Sequence, residues 1–341
     1  MKIAFTLCSN NYYAQALVLA QTFLEHNPDF KFYVGLIDQK HIKVDYNQFN
    51  IEVIPVKDIE PDVYDLALKF NIVELNTAVK PHYFLHFIEN LGAEEIYYID
   101  PDICIYQSFD NLNELLKSSD ILLTPHILKP IPLDGKKPFE NDFLNFGLYN
   151  LGFLGLKASN NTVSMLKWWK ERTYNYGFHQ LARGLFVDQL WMNLVPILFT
   201  KVKILDHPGY NMGPWNLHER FLTEAAGGYY VNSDHPLYFY HFSNLDPADS
   251  SKLHSVLDRY RMDDRPDLKP IYTAYIDKLK AFNFFELKKV SCYYVDWRKG
   301  QLLKQTEDAY NNLPFKNKVL KKIKGSIPSK FRNYMLEVIN A

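Results

Sequence analysis

Along the first third of the chain, short apolar runs alternate with longer stretches in which apolar residues recur every three or four positions. "KIAFTLC" reads as a buried parallel strand, and Ala16, Leu17, Ala20, Phe23 and Leu24 then fall at helical spacing until Asn27-Pro28 closes the stretch. "KFYVGLID" is the next strand, which completes a β-helix-β unit, and "FNIEVIPV" adds another. "NTAVKPHYFLHFIENLGA" predicts one helix with Pro81 in its first turn and Gly92 near its end, feeding the strand "EEIYYID". "DILLTPH" reads as a strand, "GKKPFENDFLN" as a polar loop, and "FGLYNLGFLGLKA" as a strand whose interior glycines mark close backbone approach. Two helices follow, "NTVSMLKWWKERTYNYG" and an amphipathic "GLFVDQLWMNLVPILF" ended by Pro196. A strand with a long Gly/Pro/Asn loop comes next, then the strand "PLYFYHFSN", and from about Asp246 the pattern is helical and increasingly basic. This order predicts an α/β fold with a mostly parallel central sheet, flanking helices and a helical C-terminal extension. Ligands of such sheets bind at the carboxyl ends of the strands.

Asp100 and Asp102 stand at one of those ends, flanking Pro101. Residues two apart in extended chain project to one side, and the proline removes a ladder donor and ends the strand. Two converging carboxylates repel unless one is protonated or a cation bridges them, and an oxygen-rich site of this kind suits Mg²⁺ or Mn²⁺. A solvated turn after a strand is the plainer alternative.

Composition narrows the classes. At 341 residues and 47% hydrophobic content the chain can bury a substantial core, so wholesale disorder is excluded. The net charge of -1 supplies no global field for nucleic acid, and no nucleic-acid partner is expected. Cys8, Cys104 and Cys292 are widely spaced and lack a CxxC pair, which argues against a disulfide framework or zinc knuckle and for a reducing compartment. With no leader-like opening and no apolar run long enough to span a bilayer, a cytoplasmic location is expected.

Taken in order, "IAFTLCSNNYYAQALVLAQTF", "YYIDPDICIY", "YNLGFLGLK", "FVDQLWMN" and "YFYHFS" resemble the glycosyltransferases of the GT-A fold, in arrangement most like family 8. The resemblance covers roughly residues 1–245 and leaves 246–341 as an extension. It implies a bacterial-type enzyme that moves a sugar from a nucleotide sugar, a UDP-sugar, to a glycan or lipid-linked acceptor in cell-surface polysaccharide assembly. Asp100 and Asp102 would then be the metal-binding Asp-x-Asp, with His241 as a third ligand to Mn²⁺ or Mg²⁺. The glycine and lysine that often follow this histidine in the family are replaced here by Ser243-Asn244-Leu245-Asp246-Pro247.

The same resemblance places Thr6, Ser9, Asn10 and Tyr12 or Tyr13 at the nucleotide base and ribose, although Ser and Asn before a helix also suit capping. Lys80 takes the place of a basic residue near the donor, Asn150 lies near the donor sugar, and Gly152 permits close approach. Asp188 and Gln189 would face the reactive carbon, with a helix cap as the alternative for Asp188. In the loop "HPGYNMGPWNLHER", Trp215 and Tyr210 offer rings to a sugar face, Asn211, Asn216 and His218 offer polar groups, and Arg220 offers a cation to a departing diphosphate. The resemblance implies retention of the donor anomer, and in the alternative, an inverting reaction, Asp188 or Glu219 could serve as base.

Two other classes fit part of the pattern: a sugar-1-phosphate nucleotidyltransferase, and a non-catalytic carbohydrate-binding protein. The first usually carries a glycine-rich basic loop after the first strand, which "TLCSNNYYAQAL" lacks. In the tail, Lys316, Lys318, Lys321, Lys322 and Lys324 interleave with Phe315, Val319, Leu320 and Ile323. Residues 315–332 therefore suit a helix lying on an anionic membrane surface, a peripheral contact on the inner face of the cell membrane.

Overall fold

The structure, a computed structural model, describes residues 1–249 and 251–311. Its strands β1 (Lys2–Cys8), β2 (Lys31–Leu36), β3 (Ile51–Pro55), β4 (Glu95–Ile99), β6 (Ile121–Pro125) and β7 (Tyr149–Lys157) join Val202–Ile204 in one sheet. The order is Val202–Ile204, β6, β7, β4, β1, β2, β3. Every neighbouring pair is parallel except those of β7, which runs antiparallel to both β4 and β6. The expected mostly parallel α/β sheet is present, and the reversed strand is what carries Asn150 and Gly152 back to the carboxyl end of β4. Beyond that end, β5 (Ile103–Ile105) turns away and pairs with Phe239–His241.

Side chains on each strand alternate between two cores, as pleating requires. On β4, Ile96 and Tyr98 join Phe5, Phe84 and Trp169 on one face. Tyr97 and Ile99 join Leu17, Phe32, Phe153 and Phe239 on the other. The helices covering the sheet are α1 (Tyr13–His26), α2 (Val63–Lys69), α3 (Ile72–Ala78), α4 (Lys80–Glu89), α5 (Asp110–Ser118), α6 (Glu140–Phe146), α7 (Asn160–Tyr176) and the short α8 (Val195–Leu198). Past residue 246, α9 (Lys269–Ala281), α10 (Phe284–Leu287) and α11 (Tyr293–Asn311) follow. Tyr272, Tyr275 and Leu279 of α9 complete the first core, while Tyr294 of α11 belongs to the second.

Three local expectations change. The helix expected over 76–93 is divided, because α3 is capped by Asn71 and Glu74 and ends at Val79, where α4 begins with Pro81 in its first turn. The polar loop around 135–145 contains α6, capped by the Asp142 carboxylate accepting from Phe139 N–H. The amphipathic helix expected over 184–199 is broken into a short strand pair (His179–Gln180 with Leu185–Phe186), a 3-10 turn (Leu190–Leu194) and α8. Pro196 lies inside the opening turn of α8 rather than ending a helix. The break falls at Val187, whose φ of 40° is left-handed and strained for a β-branched residue. Residues 315–332 lie outside the described residues, and no helix among those described is long and apolar enough to cross a membrane.

Candidate active site

The strand ends open onto a cleft of about 600 Å³ lined by Lys80, Asp100, Asp102, Asp188 and His241 among others. Each arrives on a different element. Asp100 ends β4, held by its N–H donating to Gly152 O at 2.8 Å. Asp102 begins the turn into β5, and pairing of β5 with Phe239–His241 brings His241 across from it. His241 Nε2 is 2.9 Å from Asp102 Oδ1 and 3.8 Å from Asp100 Oδ2. One ligand atom from each of Asp100, Asp102 and His241 lies within 4.8 Å of the others.

Electrostatics separate the two carboxylates. Burial raises Asp100 above the ordinary carboxylate range, with Lys80 and His241 opposing. Its side chain still keeps 29% of its surface open to the cleft, so water softens that effect. For Asp102 burial also pushes upward, yet the charge and hydrogen bond of His241 carry the net direction below the ordinary value. In turn, burial lowers His241, and Asp102 more than reverses this. Tyr98 donates its hydroxyl to Asp100 Oδ1, which fixes the carboxylate's orientation.

Gly152 has a reason visible only in three dimensions. A Cβ there would stand 2.5 Å from His241 Cε1 and 2.8 Å from Asn150 Oδ1, so the glycine makes room for the histidine ring.

A second charged group faces the cluster. Lys80 Nζ lies 2.7 Å from Asp188 Oδ2, with both side chains only 3% exposed. The lysine also donates to Leu151 O at 3.1 Å and sits 4.0 Å over the Tyr98 ring. Burial raises the Asp188 carboxyl, and Lys80 counters it. Asp188 is thus an ion-pair partner at a strained turn rather than a helix cap. Gln189 is strapped to backbone at both ends, accepting from Leu151 N–H and donating to Phe146 O.

Asn150 also has its side chain engaged. Its Oδ1 accepts from Gly152 N–H and Asn211 Nδ2, and its Nδ2 donates to His126 Nε2. His126 Nδ1 donates to Leu148 O, which fixes the neutral tautomer, and burial lowers its pKa to about 4. Nothing in the sequence signalled His126, since a histidine at a strand end carries no pattern of its own. Asn211 accordingly serves this network, and Trp215 forms a cleft wall edge-on to His241 at 5.1 Å.

Other expected site residues sit elsewhere. Arg220 is buried and spends its guanidinium on Glu219 and on the Pro208 and Tyr210 carbonyls, so it does not reach the cleft. Glu219 accepts from Leu128 N–H with both oxygens. At the ends of β1 and β2, Thr6, Ser9 and Asn10 are buried. Ser9 Oγ donates to Ile37 O, and Asn10 donates to Gln39 O while accepting from the Tyr46 hydroxyl. Asp38, which accepts from Asn10 N–H, also accepts from Tyr293 N–H, so the chain entering α11 covers this corner. Tyr13 is fully buried, whereas Tyr12 keeps 40% of its surface exposed.

With this geometry established, known proteins give a context. No family model matches the chain. Two proteins of Bacillus subtilis (strain 168) are related in sequence. They are the uncharacterized protein YfnF, 25% identical over 266 residues covering 76% of this chain and 86% of that one, and the uncharacterized protein YfnD, 22% identical over 286 residues covering 81% and 88%. The chain is similar to a solved galactosyltransferase. The structure of LgtC with donor and acceptor sugar analogs covers 87% of this chain and all of that one, at 16% identity and a TM-score of 0.45. An active-site mutant of LgtC covers 81% and 95%, at 16% identity and a TM-score of 0.47.

Proposed function

We propose that the chain is a metal-dependent glycosyltransferase, moving a sugar from a nucleotide sugar, a UDP-sugar, to a glycan or lipid-linked acceptor. The observation that carries this is the meeting of Asp100, Asp102 and His241 beside the buried Lys80–Asp188 pair in one strand-end cleft.

The donor set fits a divalent cation. Two hard carboxylates and one imidazole suit Mn²⁺ or Mg²⁺, and His241 and Asp102 already share a contact that a cation would replace. Bound there, the ion would neutralise negative charge growing on a departing diphosphate. The chain's own residues do the positioning. Tyr98 and Gly152 fix Asp100, the glycine clears space for His241, and Lys80 holds Asp188 against the cleft wall with Gln189 behind it. The remaining wall includes Phe143, Phe146, Phe186 and Leu257, apolar surface that suits sugar faces or the lipid of a lipid-linked acceptor.

A screen of nucleotide sugars for hydrolysis with Mn²⁺ and with EDTA tests the reading, and NMR of one product's anomeric configuration then gives the stereochemistry. Metal-dependent release of sugar from at least one donor is expected. A chain that binds sugars but hydrolyses no donor under either condition is a carbohydrate-binding protein instead.

A further inference from the structure

The segment 189–205, "QLWMNLVPILFTKVKIL", contains no acidic residue. It leaves the cleft at Gln189, forms the 3-10 turn and α8, and ends in the strand Val202–Ile204 at one edge of the sheet. Leu194, Ile197 and Leu198 stand at positions i, i+3 and i+4 and so share one face of that turn. All three are exposed, Ile197 by 77% and Leu198 by 53%. The same segment joins a row of rings, in which Tyr176 lies 6.0 Å from Trp191, Trp191 6.4 Å from Trp168, and Trp168 5.5 Å from Phe199. Toward the cleft the apolar surface continues. Asn193 accepts from Leu148 N–H at 2.8 Å, and both Leu148 and Leu144 of α6 are exposed. Large apolar side chains left in water add nothing to the fold, and gathered into one patch they mark a surface that meets something else.

Charge identifies the partner. The chain as a whole is nearly neutral, yet residues 167–205 carry Lys167, Lys170, Arg172, Arg183, Lys201 and Lys203 against only Glu171 and the buried Asp188. Acids at the margin, Glu89 and Asp206, meet Lys167 and Lys203, while Arg183 and Lys201 face water. A second copy of the chain suits this surface poorly. Across a two-fold axis the patch would meet itself and set lysine against lysine, and a lysine on an edge strand, as Lys203 is, disfavours edge-to-edge pairing. An apolar centre ringed by cations, with tryptophan and tyrosine beside it, is instead the composition that sits at the headgroup level of an anionic bilayer.

We propose that the face formed by α8 and the turn before it docks on an anionic lipid surface. Ile197 and Leu198 enter the headgroup layer, and Arg183 and Lys201 lie against the lipid phosphates. The docking stands independently of the transferase reading and of residues 315–332. Because the chain passes straight from the cleft lining at Gln189 into this face, docking holds the cleft close to the membrane.

Cys8, Cys104 and Cys292 are buried, so one introduced thiol can be labelled selectively in the full chain. Ile197→Cys carrying an NBD fluorophore is titrated with vesicles of phosphatidylglycerol and phosphatidylcholine, and with phosphatidylcholine alone. Ile42→Cys, in the exposed loop leading to β3 at the opposite edge of the sheet, carries the same label as control. Anionic vesicles should shift the label at 197 to the blue and brighten it, and leave the label at 42 unchanged. Ile197→Glu/Leu198→Glu should float with those vesicles about fivefold less than wild type, or weaker still. If the protein floats while the label at 197 is unchanged, another surface does the docking and this proposal fails. A chain that does not float at all overturns it too, and if Ile197→Glu then turns a dimer into a monomer in sedimentation, the face is an interface between copies.

Discussion

Two strand ends of the same sheet have opposite fates. At the end of β4, Asp100 and Asp102 remain partly open and share their charge with His241. At the ends of β1 and β2, Ser9, Asn10 and Asp38 are sealed under the segment leading into α11, and their hydrogen-bonding groups are used on the chain itself. Both corners carry polar residues where a parallel sheet places its ligands. What separates them is access, because the Asp100 and Asp102 side chains keep 29% and 23% of their surface open while Ser9, Asn10 and Asp38 are buried. A strand-end position marks opportunity, and burial by the rest of the chain decides which opportunity stays open.

Breaking the Lys80–Asp188 pair should have the largest effect on stability. Lys80→Met leaves a buried carboxylate unpaired and is expected to cost roughly 3–5 kcal/mol, read by denaturant unfolding. The double variant Lys80→Met/Asp188→Leu should recover most of that stability while donor turnover stays low. Recovery of both would make the pair purely structural.

Gly152→Ala should come next, since its Cβ must displace the His241 ring. A cost of about 1–3 kcal/mol is expected from overpacking, together with weaker Mn²⁺ dependence of donor binding. A variant with wild-type stability and wild-type metal response would mean that the ring moves freely.

The sealed corner gives a contrast in kind. Asn10→Ala removes the partner of Gln39 O and of the Tyr46 hydroxyl, and should destabilise by about 1–2 kcal/mol while changing donor affinity less than Asp102→Ala does. The reverse ordering, measured by paired thermal melts and UDP titrations, would make the β1 corner part of the donor site.

The remaining effect shows only in acid. His126 has its folded pKa lowered by burial to about 4 from an ordinary 6.5, so the folded state binds fewer protons than the unfolded one across that range. Its contribution is complete above the unfolded value and is lost as pH falls from about 6.5 toward 4, at no more than ~1.4 kcal/mol per pH unit. His126→Phe keeps a ring against Phe143, binds no proton, and should flatten that limb of the stability–pH curve. An unchanged slope would assign the acid limb to other groups.

Much of the architecture was legible because apolar periodicity reports burial directly: the strands of the first third, α1 and α7 fall where their patterns place them. Asp100 and Asp102 were legible for a related reason, as charges closing a buried run. The packing of α9 and α10 against α1 was not, because helical spacing reports that a face is buried and not which element covers it. The break at Val187 is not legible because its surroundings carry helical spacing, and the left-handed valine directly precedes Asp188, whose carboxylate meets Lys80 from a distant part of the chain. The sequence marks Gly152 for close approach, and the group that approaches it is the His241 ring.

The central claim is that Asp100, Asp102 and His241 form a divalent-cation site serving a nucleotide donor. Its most direct test is electron paramagnetic resonance of Mn²⁺ in the presence of UDP, where binding removes the signal of the free ion. Wild type should bind one Mn²⁺ per chain, and Asp100→Ala/Asp102→Ala should leave the ion free while circular dichroism stays native. Equal Mn²⁺ binding by the two proteins would contradict the account.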